Sequence, residues 1–415
     1  MNNAKKSLVP HRRFKEFQNA GAWEQRKFMD LIDSIIDFRG RTPKKLGMNW
    51  SNEGLLALSA QNVKDGYIDK TIDAHYGSQT LYDKWMNGRE LHKGQVVFTT
   101  EAPMGNVARI PDENKYILSQ RTIAFTVKNT VLTEGFLMYL LESPSVKNNL
   151  LRISSGGTAK GVSQKTLSSL TVKIPTSLKE QERINFVFYS LDSLITLHQR
   201  KLNKLKKLKS AYLTEMFPDE GEHKPKRRFA GFTDDWEQRK LEDISIINPK
   251  SVIPEHFKYV DLESVVGTDL ISFIETDKNS APSRAQRVAR TGDIFYQTVR
   301  PYQKNNYLFT LKDKDYVFST GYAQIRSDVD NAFLMSYLQN ENFVQTVLRH
   351  STGTSYPAIS PSDLAKISVF IPKKQKEQLK IGKAFSNIDN LITLHQRKID
   401  KLQKLKNAYL NEMFV

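Results

Sequence analysis

The sequence predicts an α+β chain with a pseudo-two-fold internal repeat, in which two α/β domains are separated by two long antiparallel coiled-coil helices. Three observations carry this expectation. A nearly identical helical segment occurs twice, each copy follows a globular segment with short β-branched and aromatic runs, and 415 residues exceed what one ordinary core accommodates.

In chain order, residues 1–22 read as an N-terminal extension. The first domain covers 23–178 and opens on WEQRK at Trp23–Lys27, a pentapeptide that returns at Trp236–Lys240. Its strands are expected at Gln95–Thr99, Arg121–Val127 and Leu170–Ile174, and a helix over Phe136–Leu151. The first long helix covers 179–217. The stretch 218–235 begins PDEGEHKPK, polar with Pro and Gly, and reads as an exposed linker. The second domain covers 236–375, with strands at Asp293–Tyr296 and Ile367–Ile371 and a helix over Ala332–His350, and the second long helix covers 376–415.

The two helices agree at 20 of 26 positions between Asp192–Phe217 and Asp389–Phe414, and the same offset of 197 extends back to Ser154 and Ser351. Upstream of that the second copy is 16 residues shorter, so the domains have drifted while the helices have not. Leu191, Ile195, His198, Leu202, Leu205, Leu208, Tyr212 and Met216 recur every three or four residues. Ile388, Ile392, His395, Ile399, Leu402, Leu405, Tyr409 and Met413 repeat the stripe. Stripes this long need cover, and the simplest cover is each other. The spacing leaves direction open, but two like domains each ending in a helix would occupy opposite ends of an antiparallel pair. His198 and His395 read as packed interface residues, because no carboxylate or cysteine accompanies them at ligand spacing. The lysines at 201, 204, 206, 207 and 209 suit either a solvated helix face or phosphate.

Hydrophobic residues at 39% and aromatics at 10% describe a chain with real cores. The charge of +17 favours a polyanionic partner, either nucleic acid or an anionic membrane surface. No apolar stretch approaches a membrane span and Met1–Pro10 lacks a signal-peptide core, so no membrane association and a cytoplasmic location are expected. The absence of cysteine excludes disulfides, thiol nucleophiles and Cys-based zinc sites. A phosphate-binding loop is missing, since Gly382-Lys383 is followed by Ala384. No Gly-rich dinucleotide loop follows a strand, and the Asn-Pro-Pro-aromatic motif of adenine methyltransferases does not occur. Pro218-Asp219 with Glu222 and Lys224 has the composition of a metal-nuclease set, but these residues crowd into one linker without a rigid scaffold. The expectation is a non-catalytic chain that binds no metal or cofactor.

The order of parts resembles the DNA specificity subunit of type I restriction-modification systems over nearly the whole chain. The resemblance rests on RRFAGFTDDWEQRKLEDI at Arg227–Ile244, the Glu-Gln helix starts at 180–181 and 377–378, and the two ITLHQRK helices. It departs where the first copy opens on FQNAGAWEQRK. It implies two target recognition domains, each reading one half of a split double-stranded DNA site, and a helical spacer on which two adenine methyltransferase subunits dock. Restriction endonuclease subunits would complete the complex, with S-adenosylmethionine, ATP and Mg2+ on those partners.

Reading DNA needs hydrogen-bonding side chains at base edges and cations on phosphates. In the first domain the candidates are Arg39, Arg41, Lys44, Lys45, Gln61, Asn62, Thr100, Glu101, Gln120, Arg121, Lys160 and Lys165. In the second they are Gln297, Arg300, Tyr302, Lys304, Asn305, Tyr322, Thr354, Ser355 and Tyr356, with the Arg300–Asn305 turn foremost. Two other classes stay open at this point: a stand-alone DNA-modifying enzyme, and a coiled-coil scaffold that binds only proteins.

Overall fold

The computed structural model describes residues 8–72, 75–154, 161–313 and 315–415. It divides into two compact units: Met1–Leu197 with Ile399–Val415, and His198–Lys398.

The first unit contains β1 (Glu24–Lys27), β2 (Ile32–Asp37), β3 (Leu55–Leu58), β4 (His75–Gly77), α1 (Gln79–Met86), β5 (Val96–Thr99), β6 (Val107–Arg109), β7 (Ile117–Leu118), β8 (Thr122–Val127), α2 (Glu134–Glu142), α3 (Pro144–Ile153), α4 (Gln164–Ser169), β9 (Thr171–Ile174) and the start of α5 (Leu178–Glu215). Its main sheet has the order β2-β8-β5-β6, all antiparallel. Side chains alternate across a strand, and here both faces are covered. Val96, Phe98, Ile123 and Phe125 join the core of Trp23 and Phe136, whereas Val97, Ala108 and Ala124 join a second core with Leu58 and Trp85. That second core underlies the sheet β4-β3-β7 and α1.

The second unit follows the same plan with β10 (Glu237–Lys240), β11 (Ser245–Ile247), β12 (His256–Val260), β13 (Val265–Val266), β14 (Asp269–Leu270), β15 (Ile274–Asp277), β16 (Ala285–Val288), β17 (Ile294–Gln297), β18 (Tyr307–Leu308), β19 (Tyr316–Ser319), β20 (Tyr322–Ser327), α6 (Asn331–Leu338), α7 (Glu341–Arg349), α8 (Pro361–Lys366), β21 (Ser368–Ile371) and most of α9 (Gln375–Glu412). Its sheets are β11-β20-β17-β18 and β15-β12-β19-β16. Phe295 and Phe318 stack 3.6 Å apart at 7° in one core, while Ile294 and Tyr296 enter the other.

The helices expected at 136–151 and 332–350 are each two helices. Ser143 ends α2 and caps α3, with Pro144 supplying the first helical residue, and Asn340 accepts from the Asn342 amide at 2.7 Å to start α7.

Within each unit the long helices run antiparallel. In the first, Phe188 of α5 meets Phe414, just past the end of α9, at 5.8 Å, and Asp192 of α5 meets Lys406 of α9 at 2.8 Å. In the second, His198 and His395 place their Nδ1 atoms 2.9 Å apart, and Lys209 meets Asp389 at 2.6 Å. Of the sixteen predicted stripe residues, Leu208 and Leu405 are corrections, since both are exposed. The buried line passes through the next residue instead, so Lys406 is buried, and Lys209 is partly covered in the second unit. Burying either lysine is tolerable because a carboxylate waits opposite.

The described part of the extension, residues 8–22, is tied to the first unit. Arg13 makes a bidentate pair with Glu180 at 2.7 Å, both side chains buried, and Arg228 makes the same pair with Glu377 at 2.6 and 2.8 Å. Likewise the Arg12 amide bonds to the Glu412 carbonyl and the Arg227 amide to the Glu215 carbonyl. The Arg-Arg-Phe at 12–14 therefore corresponds to that at 227–229, and the putting together of helix start and repeat opening explains the Glu of each Glu-Gln motif. Gln181 donates to the carbonyls of Val131 and Pro175, fixing the helix start further.

Candidate nucleic-acid interface

In the first unit three loops converge on a cleft of about 460 Å³. The turn at Pro43–Leu46, capped by Thr42, contributes Lys44; the segment after β3 contributes Gln61; and the β7–β8 turn contributes Gln120 and Arg121. Arg121 sits at φ 63°, a strained conformation for a side-chain-bearing residue, and aims at Glu101 with an Nε–Oε1 separation of 3.3 Å. Gln120 donates to the Arg41 carbonyl at 3.2 Å. Sequence reasoning missed the cleft's aromatic side, where Trp50 stacks on His75 at 6.0 Å and 16° and leans on Trp85. A lone Trp in the polar stretch Met48–Gly54 was the available signal.

The other candidates divide by what already holds them. Arg39 is locked on Asp37, by a forked contact of 2.6–3.1 Å, and donates to the Val162 carbonyl. Asp37 is held below its ordinary pKa: burial opposes this, but its bonds with Arg39 prevail. Arg41 donates to the Trp85 carbonyl with its guanidinium 4.3 Å above Phe38, and Lys45 donates to the Gly40 carbonyl. Lys44, Gln61 and Lys165 are exposed. Asn62 and Thr100 are corrections. Asn62 is fully buried, bonded to Ser59, Asp69 and Ile72, and Thr100 is buried against the Arg121 carbonyl. Both are turn staples that brace the cleft. Lys160 lies outside the described residues.

In the second unit Gln297 and Tyr322 are likewise interior. Gln297 holds the following loop through Val299 and Gln303, and Tyr322 packs on Phe318 while its hydroxyl donates to the Asp261 carbonyl. Lys304 is paired with Glu341 at 2.6 Å, and Asn305 accepts from the Gly267 amide. Tyr302, Thr354, Ser355 and Tyr356 are exposed, and Arg300 is half-buried with its guanidinium 4.1 Å over the Tyr356 ring.

In the linker Asp219 pairs with Lys226 and Lys224 with Asp235, and among the described residues no group of three or more His, Asp or Glu side chains that could hold a metal ion occurs. No helix is long and apolar enough to cross a membrane, among the described residues. The long helices carry a duplicated apolar patch of another kind. Leu194 and Leu197 of the first unit are 44% and 45% exposed, and Leu391 and Leu394 of the second 43% and 46%.

The family model for the type I restriction modification DNA specificity domain matches residues 21–207 and again 233–404. The chain is 26% identical over 426 residues to the type I restriction enzyme MjaVIII specificity subunit of Methanocaldococcus jannaschii, covering 96% of this chain and 94% of that one. Its fold is similar to the crystal structure of a type I restriction-modification S subunit from M. genitalium, with TM-score 0.68, 16% identity, and coverage of 98% and 99%.

Proposed function

Because this chain belongs to the type I restriction-modification DNA specificity family, we propose that each unit reads one half of a bipartite, asymmetric site in double-stranded DNA while the chain itself performs no chemistry. The observation that carries this is a duplicated framework with unlike loops. Arg13–Glu180 and Arg228–Glu377 repeat the same joint, whereas the cleft around Arg121 and the loop around Arg300 share no side-chain set. Like frames suit one partner met twice, and unlike loops suit two targets. Gln61, Gln120 and Arg121 reach base edges, and Lys44, Lys45 and Lys165 neutralise phosphates.

The duplicated patches at Leu194–Leu197 and Leu391–Leu394 take two copies of an adenine methyltransferase subunit. The methyl donor S-adenosylmethionine belongs to those subunits, and ATP and Mg2+ to translocating endonuclease subunits that complete the complex. Binding of the full chain to randomised duplexes at rising salt, followed by sequencing of the retained DNA, tests the reading. Sequence enrichment that falls to half-site level on Arg121→Ala, costing about 1–3 kcal/mol at one position, supports it. Binding without any enrichment refutes it.

A further inference from the structure

We infer that Arg300 reads a guanine in the half-site of the second unit, and that Tyr356 is a positioning residue holding its guanidinium in the reading plane. The inference rests on the proposed DNA-reading role and names the base.

Arg300 adopts φ 54°, a conformation unfavourable for a residue with a Cβ, directly before Pro301. It is kept there by its amide, which donates to the Pro357 carbonyl at 2.7 Å, and by pairing of Val299 with Ala358. Ala358 also exchanges two 2.9 Å hydrogen bonds with Thr352, which closes the five-residue tip 353–357 into a loop. Gly353 at φ 87° makes that tip possible, since a Cβ there would stand 3.1 Å from the Tyr356 carbonyl oxygen. The two segments are therefore zipped together, and the guanidinium stands over the ring of Tyr356, 62% exposed, with Cζ 4.1 Å from its centroid.

A ring below the guanidinium leaves its edge donors in plane. A planar fork of donors matches O6 and N7 of guanine, the acceptor pair that the major groove presents for that base alone. The surroundings support a reading role over a structural one. Arg39, Arg121, Arg326 and Arg349 each face a carboxylate, whereas among the described residues the interactions of Arg300 are the Tyr356 ring and backbone bonds to Pro357 and Gln303. Neighbouring Lys304 is spent on Glu341 and Gln297 on the loop floor, so of the loop's two cations Arg300 is the one that faces no carboxylate among the described residues.

The experiment takes duplexes selected by the full-length chain and replaces each guanine of the second half-site in turn with 7-deazaguanine, which removes the N7 acceptor. Wild-type affinity is expected to fall about tenfold or more at one guanine and to fall little elsewhere. With Arg300→Ala that same substitution should cost nothing further. Tyr356→Leu should cut the discrimination at that guanine at least severalfold while leaving the first half-site unchanged, and Tyr356→Phe should retain it. A second half-site without guanine, an equal 7-deazaguanine effect in wild type and Arg300→Ala, or an Arg300→Ala loss spread over all sequences, as a phosphate contact gives, overturns the inference alone. Failure to select any sequence overturns the DNA-reading role and this inference with it.

Discussion

At the scale of single residues, the two units differ most sharply in how they bury charge. Lys406 lies between Glu142 at 2.9 Å and Asp192 at 2.8 Å, whereas its counterpart Lys209 has Asp389 alone and the position equivalent to Glu142 is Gln339. Burial pushes the Glu142 carboxyl up to about 7, against the opposing pull of Lys406. A folded pKa raised above the unfolded value means that the folded state holds the proton more tightly. The stability cost of Glu142 is therefore full above pH 7 and is relieved as pH falls from about 7 toward 4.5. Glu142→Gln, the residue found in the other unit, should stabilise the protein at pH 8 by up to about 3 kcal/mol and flatten the decline of stability between pH 5 and 8. Chemical denaturation of both proteins across that range is the check, and parallel curves would contradict it. Lys406→Ala strands the buried Glu142 carboxylate and the partly buried Asp192 and should cost about 3–5 kcal/mol at pH 8, more than Lys209→Ala, which strands the partly buried Asp389. None of this was legible beforehand, because Lys406 looks like any other lysine of a solvated helix face. Asn62, Thr100, Gln297 and Tyr322 failed the opposite way: polar residues in loops resemble readers of DNA, and only the fold shows that they are buried and bonded to other groups of the protein, mostly backbone carbonyls, some of them distant in sequence.

At the scale of elements, periodicity placed the long helices and the buried central strands, since strict spacing and unbroken apolar runs are local signals. It failed where caps interrupt a spacing that otherwise continues, as at Ser143-Pro144 and Asn340, and on the short strands β3, β4, β7, β12, β15 and β16, whose pairing is set by distant partners. Leu208 and Leu405 show the same limit. A stripe counted along one helix says which residues share a face, but the partner determines which edge of that face is covered, and here the covered edge includes the adjacent lysines. The uncovered edge carries the surface proposed to dock the methyltransferase subunits. Leu194→Asp with Leu197→Asp should abolish docking of one methyltransferase subunit and leave the other, and Leu391→Asp with Leu394→Asp should do the reverse. Native mass spectrometry at saturating partner would then show one copy bound instead of two; two copies on either variant would move the docking surface elsewhere.

At the scale of the whole molecule, the account rests on repetition. The WEQRK openings and the helices recur, and that much of the plan was readable from the sequence because identical segments need no physical model to find; the Arg-Glu joints recur with them in the structure. The beginning of the repeat was not, since Arg-Arg-Phe at 12–14 and 227–229 is too short to stand out until Arg13 and Arg228 are seen paired with the equivalent glutamates, Glu180 and Glu377. If the units read separate half-sites and α5 and α9 set the interval between them, the interval should respond to helix length alone. Four residues inserted after Lys201 add about 6 Å of helix and nearly preserve the apolar face, whereas two would rotate it by about 200° and disrupt packing. The most direct measurement is the sequence of duplexes selected from a randomised library by the chain and by its four-residue insertion variant. The account predicts two dissimilar half-sites around an unspecified gap, with the gap longer by one or two base pairs in the variant and both half-sites unchanged. A single continuous site, an unchanged gap, or new half-site bases would contradict it.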